Sequence, residues 1–286
     1  MSGNRKQPWQ QGAEPAKARR GPREAAAGAI VLGLVAFAAL AAPWIAPFDP
    51  HAQQISQRLA APGATHWLGT DGLGRDILSR LIYGARPTLG LIALVGVLSA
   101  PLGLAAGIAA GTYGGAVERA LMGLANAVMA FPQLVLALAF VGVLGPGLFH
   151  SALALALTGW PAYARLARTQ ARVVRASDFF AAAQMAGLGP ARLLFGQVLP
   201  CCLPYAQVRL ALDMASVVLA GAGLGFLGLG VQPPTPEWGA MIAEGSKVVF
   251  DEWWVAASPG AAILLTSLGC HLLADGLRDA ADPHRD

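Results

Sequence analysis

The stretch 178–200, DFFAAAQMAGLGPARLLFGQVLP, decides how the rest of the chain is read. Apolar runs long enough to cross a bilayer lie on both sides of it, yet it spells helix, glycine break and helix. Asp178 is placed to cap the first helix by accepting a bond from a free backbone N–H. Phe179 to Ala186 supply helix formers, and Gly187 can end the turn. Pro190 suits the first turn of a second helix, which Leu199-Pro200 stops. Two readings follow. In one, a short helix pair at the membrane surface offers Phe179, Phe180 and Met185 to a groove on another protein. In the other, it is an ordinary loop whose aromatics fold back on their own helices.

The flanks are those of an integral membrane protein. Hydrophobic residues make up 55% of the 286 and charged residues 13%, and mean hydropathy is +0.53, which excludes an ordinary soluble core. Immediately around the central stretch, a loop from Arg165 to Arg209 carries Arg165, Arg168, Arg172, Arg175 and Arg192. Counted by alternating side, the side of this loop and both tails, with Arg119 between the second and third spans, holds 15 of the 20 Lys and Arg residues against 5 on the other side. The excess predicts that the loop and both termini are cytoplasmic.

Before the loop, 120–164 is free of formal charge and too long for one helix. Gly145-Pro146-Gly147 divides it into two spans of about 25 and 17 residues, the first kinked at Pro132. Pro87 to Val117 is another span, with Gly103, Gly107 and Gly111 on one face, where missing side chains let a neighbouring backbone approach; Gly115 continues the spacing but can belong to the turn. Ahead of it, 49–86 is polar, and Ile77, Leu78, Leu81 and Ile82 at helical spacing predict a separate interfacial helix with Asp76 and Arg80 paired on its wet face. Ala25 to Phe48 spans, although Ala39-Ala41 resembles a cleavage site. Residues 1–24 read as a disordered tail. After the loop, Met214 to Pro236 and Trp253 to Ala274 complete six spans, with Trp253 and Trp254 at the outer headgroup level.

The expectation is an all-α polytopic membrane protein with six transmembrane helices. Its parts are a cytoplasmic tail (1–24), a first transmembrane helix with an outer loop (25–87), and a transmembrane domain (88–286) whose central loop is 165–209.

Several chemistries lack their residues. Gly223 to Gly228 matches GxGxxG but lies in a span without a preceding strand, so helix packing accounts for it better than a dinucleotide. No lysine follows a glycine, so no phosphate loop forms. The five histidines never fall at metal-ligand spacing, although a lone His66 could touch a passing ion. An acid/base pair of Asp71 and Asp76 competes poorly with two exposed carboxylates. The three cysteines make no disulfide framework. The basic residues sit beside apolar runs without a nucleic-acid motif. Ionisable groups are nearly absent from the spans, Asp213 and His271 being marginal exceptions, which disfavours a proton-coupled carrier.

Five stretches carry a resemblance: LGTDGLGRDILSRLIYGAR (68–86), AFPQLVLALAFVGVLGPG (130–147), 178–200, FLGLGVQPPTPEWGAMI (226–242) and LRDAADP (277–283). They resemble the inner-membrane permease subunits of binding-protein-dependent ABC importers of the dipeptide, oligopeptide and nickel group. In that family the central loop carries the EAA motif, whose coupling helix docks on an ATPase. Ala181-Ala182-Ala183 stands where Glu-Ala-Ala is common, Gly187 matches the central glycine, and Leu199-Pro200 matches the ending. Ala181 in place of Glu removes one charge contact, and Gln197 replaces a frequent His.

The resemblance implies ATPase coupling through Asp178, Phe179, Phe180, Ala181, Ala182, Gly187, Pro190, Gln197 and Pro200. It implies ATP and Mg held by two partner ATPases, a second homologous permease, an extracytoplasmic binding protein, surrounding lipid and an inner-membrane location. The chain itself would carry no metal, cofactor or catalytic centre. Peptide is the expected cargo, with nickel or a metal chelate as the alternative. A membrane scaffold that recruits a cytoplasmic protein is the reading from another class.

Overall fold

The computed structural model describes residues 21–280, and they are organised by helices. In chain order these are α1 (Gly21–Ile45), α2 (Ile77–Tyr113), α3 (Gly115–Met129), α4 (Gln133–Leu144), α5 (Leu148–Arg175), α6 (Asp178–Met185), α7 (Pro190–Leu193), α8 (Leu199–Phe226), α9 (Trp238–Ser246) and α10 (Trp254–Ala280). Residues 1–20 of the expected tail, and the end of LRDAADP, lie outside the described residues. The rest of that tail, 21–24, belongs to α1.

Among the described residues, four helical stretches are long and apolar enough to cross a membrane: 23–45, 77–113, 190–226 and 254–279. The α3–α4 pair makes a fifth if its two halves count as one span. They meet at 93° across Phe131-Pro132. Pro132 has no N–H to give and disfavours helix in the residue before it, so the expected kink becomes an elbow. The helix α5, expected as a span of about 17 residues, runs to 28. Its apolarity falls short because it is the interior helix: Ala154, Leu155, Ala164, Ala167 and Ala171 are fully buried, and its far end is basic. A helix surrounded by protein needs little lipid-facing surface.

The seam between α2 and α5 explains that burial. A Cβ on Gly103 would lie 2.5 Å from that of Tyr163, one on Gly107 2.7 Å from that of Ala167, and one on Gly111 2.7 Å from that of Ala171. No real side chain tolerates such contacts, so the three glycines set how closely the two backbones approach. Gly115 lies outside this row: it meets nothing and takes φ +55° in the turn.

Three boundaries differ from the sequence reading. The interfacial helix and the following span are one helix, α2, which runs through Pro87 and Pro101. Packed neighbours and local adjustment allow proline inside a membrane helix. The basic loop is shorter than 165–209, because Arg165 to Arg175 still belong to α5. Leu199-Pro200 opens α8 rather than stopping α7, with a π-helical step over Leu194–Val198 joining the two. Pro200 sits in the first turn, where its missing N–H costs no helical bond. The helix α8 ends at Phe226, not at Pro236, and the GxGxxG glycines close it: Gly225 lies against the Glu237 side chain and Gly228 turns at φ +76°.

Candidate functional site

The basic end is built on α6 and α7. Ser177 is the residue before α6, so Asp178 is its first helical residue and not its cap. There its carboxylate faces the positive end of the helix dipole. Gly187, at φ +78°, closes α6: its N–H donates to Gln184 O at 3.0 Å and that of Leu188 to Ala183 O at 3.2 Å. These two bonds satisfy the last carbonyls in the Schellman pattern, which needs a left-handed residue. Gly189 and Pro190 then start α7.

The two phenylalanines part company. Phe180 is 3% exposed and sits with Leu193 and Val198 among Leu104 and Ile108 of α2, Ala167, Ala171 and Val174 of α5, and Cys202 of α8. It is an anchor, so the expectation that it is presented to a partner is corrected. An adjacent helical residue lies about 100° around the axis, which turns Phe179 away from that cluster. Phe179, Ala182 and Met185 follow one another at steps of three on the outer face of α6, with Met185 84% exposed. Asp178, Ala181, Gly187, Pro190 and Pro200 are also exposed, and Gln197 is half-buried. Phe195, 71% exposed beside them, was not singled out by sequence, where Leu193-Leu194-Phe195 reads as one apolar block.

Arginines brace this end. Arg168 and Arg172 of α5 both pair with Glu118 of α3, the latter at 2.6 Å. Arg165 donates to Asn126 at 2.7 Å, and Arg175 to the Thr112 carbonyl at 2.5 Å. Together they fasten α3 and the end of α2 to α5.

Deeper in the helix bundle a cavity of about 190 Å³ lies between α2, the α3–α4 elbow, α5 and α8. Most of its wall is apolar, from Ile92, Val95, Leu155 and Val217. Arg209 and Asp213 of α8 lie on it as an ion pair at 2.6 Å, with Tyr163 of α5 against the carboxylate. Asp213 stood at the edge of a span in the sequence; in the structure it lies inside a 28-residue helix.

The opposite end is polar and buried. Asp71 accepts from the Leu73 and Arg75 N–H groups at 2.9 and 3.0 Å, from Arg75 Nε at 2.7 Å, and from Arg80. Arg75 and Arg80 each reach Glu244 of α9 at 2.8 Å. Burial pushes the Asp71 carboxyl up, but Arg80, Arg75 and the two backbone donors outweigh it and hold it below its ordinary value. Asp76 does not pair with Arg80 on a wet face. It caps α2 by accepting from Ser79 N and Oγ, each at 2.7 Å, and binds His66 Nδ1 at 2.8 Å. His66 gives its other ring nitrogen to Gln57 at 2.8 Å, so it is a buried strut rather than a free ligand. Asp71 and Asp76 are 2% and 3% exposed, and neither is a solvated carboxylate. Glu237 caps α9, accepting from Gly239 and Ala240 N–H at 2.8 Å, while burial pushes its carboxyl up. Trp238 Nε1 donates to Leu81 O at 2.9 Å and ties α9 to α2.

Comparison with known proteins gives this architecture its relatives. Residues 103–286 match the family described as binding-protein-dependent transport system inner membrane component. Residues 23–62 match the N-terminal TM domain of oligopeptide transport permease C. The chain is 44% identical over 266 residues to the di/tripeptide transport system permease protein DppC of Pseudomonas aeruginosa, covering 90% of this chain and 86% of that one. It is 39% identical over 255 residues to the nickel transport system permease protein NikC of Escherichia coli, covering 89% and 92%. In fold it is similar to a chain of the MetNI methionine ABC transporter in an inward-facing conformation, with a TM-score of 0.56 and 16% identity, over 72% of this chain and 98% of that one.

Proposed function

The chain belongs to the family of inner-membrane components of binding-protein-dependent transport systems, as a permease of the dipeptide, oligopeptide and nickel group of ABC importers, and we propose that its cargo is peptide. It forms half of the translocation pathway, beside a second homologous permease. An extracytoplasmic binding protein delivers the solute, and two separate ATPase chains bind and hydrolyse ATP with Mg. Both termini and the α6–α7 loop face the cytoplasm, as the excess of basic residues there supports.

One observation carries the reading. The helix pair that shows Phe179, Met185 and Phe195 outward is seated through Phe180, Leu193 and Val198 on α2, α5 and α8. Those three helices also wall the cavity. A push on the exposed face therefore reaches the pathway through packed side chains and not through a loose tether. In this scheme Asp178, Phe179, Ala181, Ala182, Gly187, Pro190, Gln197 and Pro200 shape or line the docking surface. Phe180 anchors it, and Gly103, Gly107 and Gly111 keep α2 and α5 in register. The working division keeps a first span with its outer loop and a transporter domain, but the expected boundaries at 24 and 87 both fall inside helices, the first in α1 and the second in α2.

Purification of the tagged chain from its native membrane tests the assembly. Recovery of a second permease and ATPase subunits is the expected result. Recovery of the chain alone, under conditions that preserve a comparable transporter, would overturn it and favour a scaffold. The nickel relative supports a second reading of the cargo. Proteoliposomes that take up a labelled dipeptide but not Ni²⁺ favour peptide, and the reverse favours nickel.

A further inference from the structure

We infer that Arg209, Asp213 and Tyr163 form a contact site for the charged ends of a zwitterionic solute within the membrane, Asp213 meeting its ammonium group and Arg209 its carboxylate. The inference rests on the permease reading above and assigns part of the pathway to named residues.

Position comes first. Asp213 lies thirteen residues before the end of α8 at Phe226, about 20 Å along a helix that rises 1.5 Å per residue. With the end of α8 at the outer edge of a hydrocarbon layer of about 30 Å, that depth falls inside the layer. An ionised side chain at such depth is costly, so it is kept where it faces a partner or a polar path.

The other ion pairs of this protein show what a purely structural pair looks like here. Glu244 joins α9 to Arg75 and Arg80, and Glu118 joins α3 to α5. Arg209 and Asp213 are four apart on one helix, so the ion pair itself joins no two elements; the link to α5 is made by Tyr163 on the Asp213 carboxylate. Nor is it sealed: the two side chains are 38% and 19% exposed, as open as the Arg172–Glu118 pair at 52% and 14%, but here the open side is the cavity wall. The pair is open on the cavity side, and opposite charges one turn apart present both signs to whatever enters.

The surrounding wall fits this use. Tyr163 is buried in α5 and lies against Asp213, holding the carboxylate from behind. Across the cavity, Gly159 leaves room for polar groups: a Cβ there would meet Ser99 Oγ at 3.4 Å and Gln133 Nε2 at 3.9 Å. The remainder is apolar, which suits side chains of varied shape. A solute with a free ammonium and a free carboxylate can replace each member of the pair by its own group, so that neither charge is left unpaired during the exchange.

The test uses the full importer complex in proteoliposomes, with saturating binding protein, and compares uptake of Lys-Ala with that of Glu-Ala. Asp213→Asn leaves a net positive wall and should lower the Lys-Ala to Glu-Ala ratio relative to the unaltered complex. Arg209→Gln should raise it, each shift being roughly tenfold for a unit charge at short range in a partly dry site. Because the same binding protein serves every variant, its own preference cancels. A structural role predicts equal losses of both peptides in both variants, and that result would overturn the inference. Ser216→Asp, one turn from Asp213 on the exposed part of the same wall, adds a negative charge while leaving both members of the pair in place and should also raise the ratio. An unchanged ratio there overturns the inference even where the other variants fail to assemble. Absence of peptide uptake by the unaltered complex would instead sink the peptide reading, and this site with it.

Discussion

The two ends of the molecule hold their surface segments by opposite means. At the basic end, α6 and α7 are seated by an apolar anchor, Phe180 with Leu193 and Val198, and their outer face carries Phe179, Met185 and Phe195 uncovered. At the other end, the segment between α1 and α2 is tied to α2 and α9 by the buried charges of Asp71, Arg75 and Arg80, which reach the half-buried Glu244, and by the His66–Asp76 strut. Directional bonds fix one geometry, so the polar end suits a frame. Apolar seating tolerates small sliding while keeping contact, and it suits a part that has to be pushed by a partner.

The comparison breaks most readily at Arg80. Arg80→Ala takes from the buried Asp71 one of its two guanidinium partners, leaving Arg75 and two backbone N–H groups, and should cost about 3 kcal/mol, the low end for breaking a buried pair, read as a lower unfolding midpoint of the purified complex. If stability is unchanged, the polar end is not held by these charges. The same network sets a pH dependence. The Asp71 carboxyl is held below its ordinary value of 3.8, so its contribution is complete above 3.8 and lost as pH falls through the lowered value. Asp71→Asn should flatten that acid limb.

Phe180→Ala should cost about 3 kcal/mol through the cavity it leaves, and limited proteolysis should then cut the α6–α7 loop faster. Gly187→Ala puts a side chain at φ +78°, a strain of about 1–2 kcal/mol. It should lower dipeptide uptake per ATP hydrolysed more than it lowers assembly; unchanged coupling would remove Gly187 from the docking geometry. Smallest for the fold, and sharpest for the comparison, is Phe179→Ser with Met185→Ser. Both are exposed, so stability should move by no more than about 0.5 kcal/mol. Co-purification of the ATPase should nevertheless drop severalfold. Full recovery of the ATPase would mean that the outer face of α6 is not the docking face.

The same contrast explains what was legible in the sequence. The helix, glycine break and helix of 178–200 could be read because its signals are local: Gly187 and Pro190 act on their own turns. The glycine row of α2 was legible because a period of four marks one face whatever packs on it. Which phenylalanine faces inward was not, since Phe179 and Phe180 differ only in what approaches them from α2, α5 and α8. The polar end was misread for a related reason. Asp76 and Arg80 are correctly spaced to pair, but Arg80 finds Glu244, 164 residues away, and Asp76 finds His66. Helix ends at prolines were overcalled at Pro87 and Pro200, where tertiary packing and first-turn geometry remove the penalty that sequence rules assign. Asp213 was noticed only as an exception, because nothing in a single chain reveals that a cavity lies beside it.

The unbroken helical stretch 190–226 has a mechanical consequence. Its 37 residues make a rod of about 55 Å at 1.5 Å per residue. One tip is the start of α7, and Asp213 sits about 35 Å along it by the same rise. A tilt of about 10° pivoting at the loop would sweep the far tip through roughly 10 Å and Asp213 through about 6 Å, simple trigonometry on that length. In the proposed assembly, a lever of that reach would turn a small rotation at the α6–α7 end into a shift as wide as an amino acid residue at the cavity.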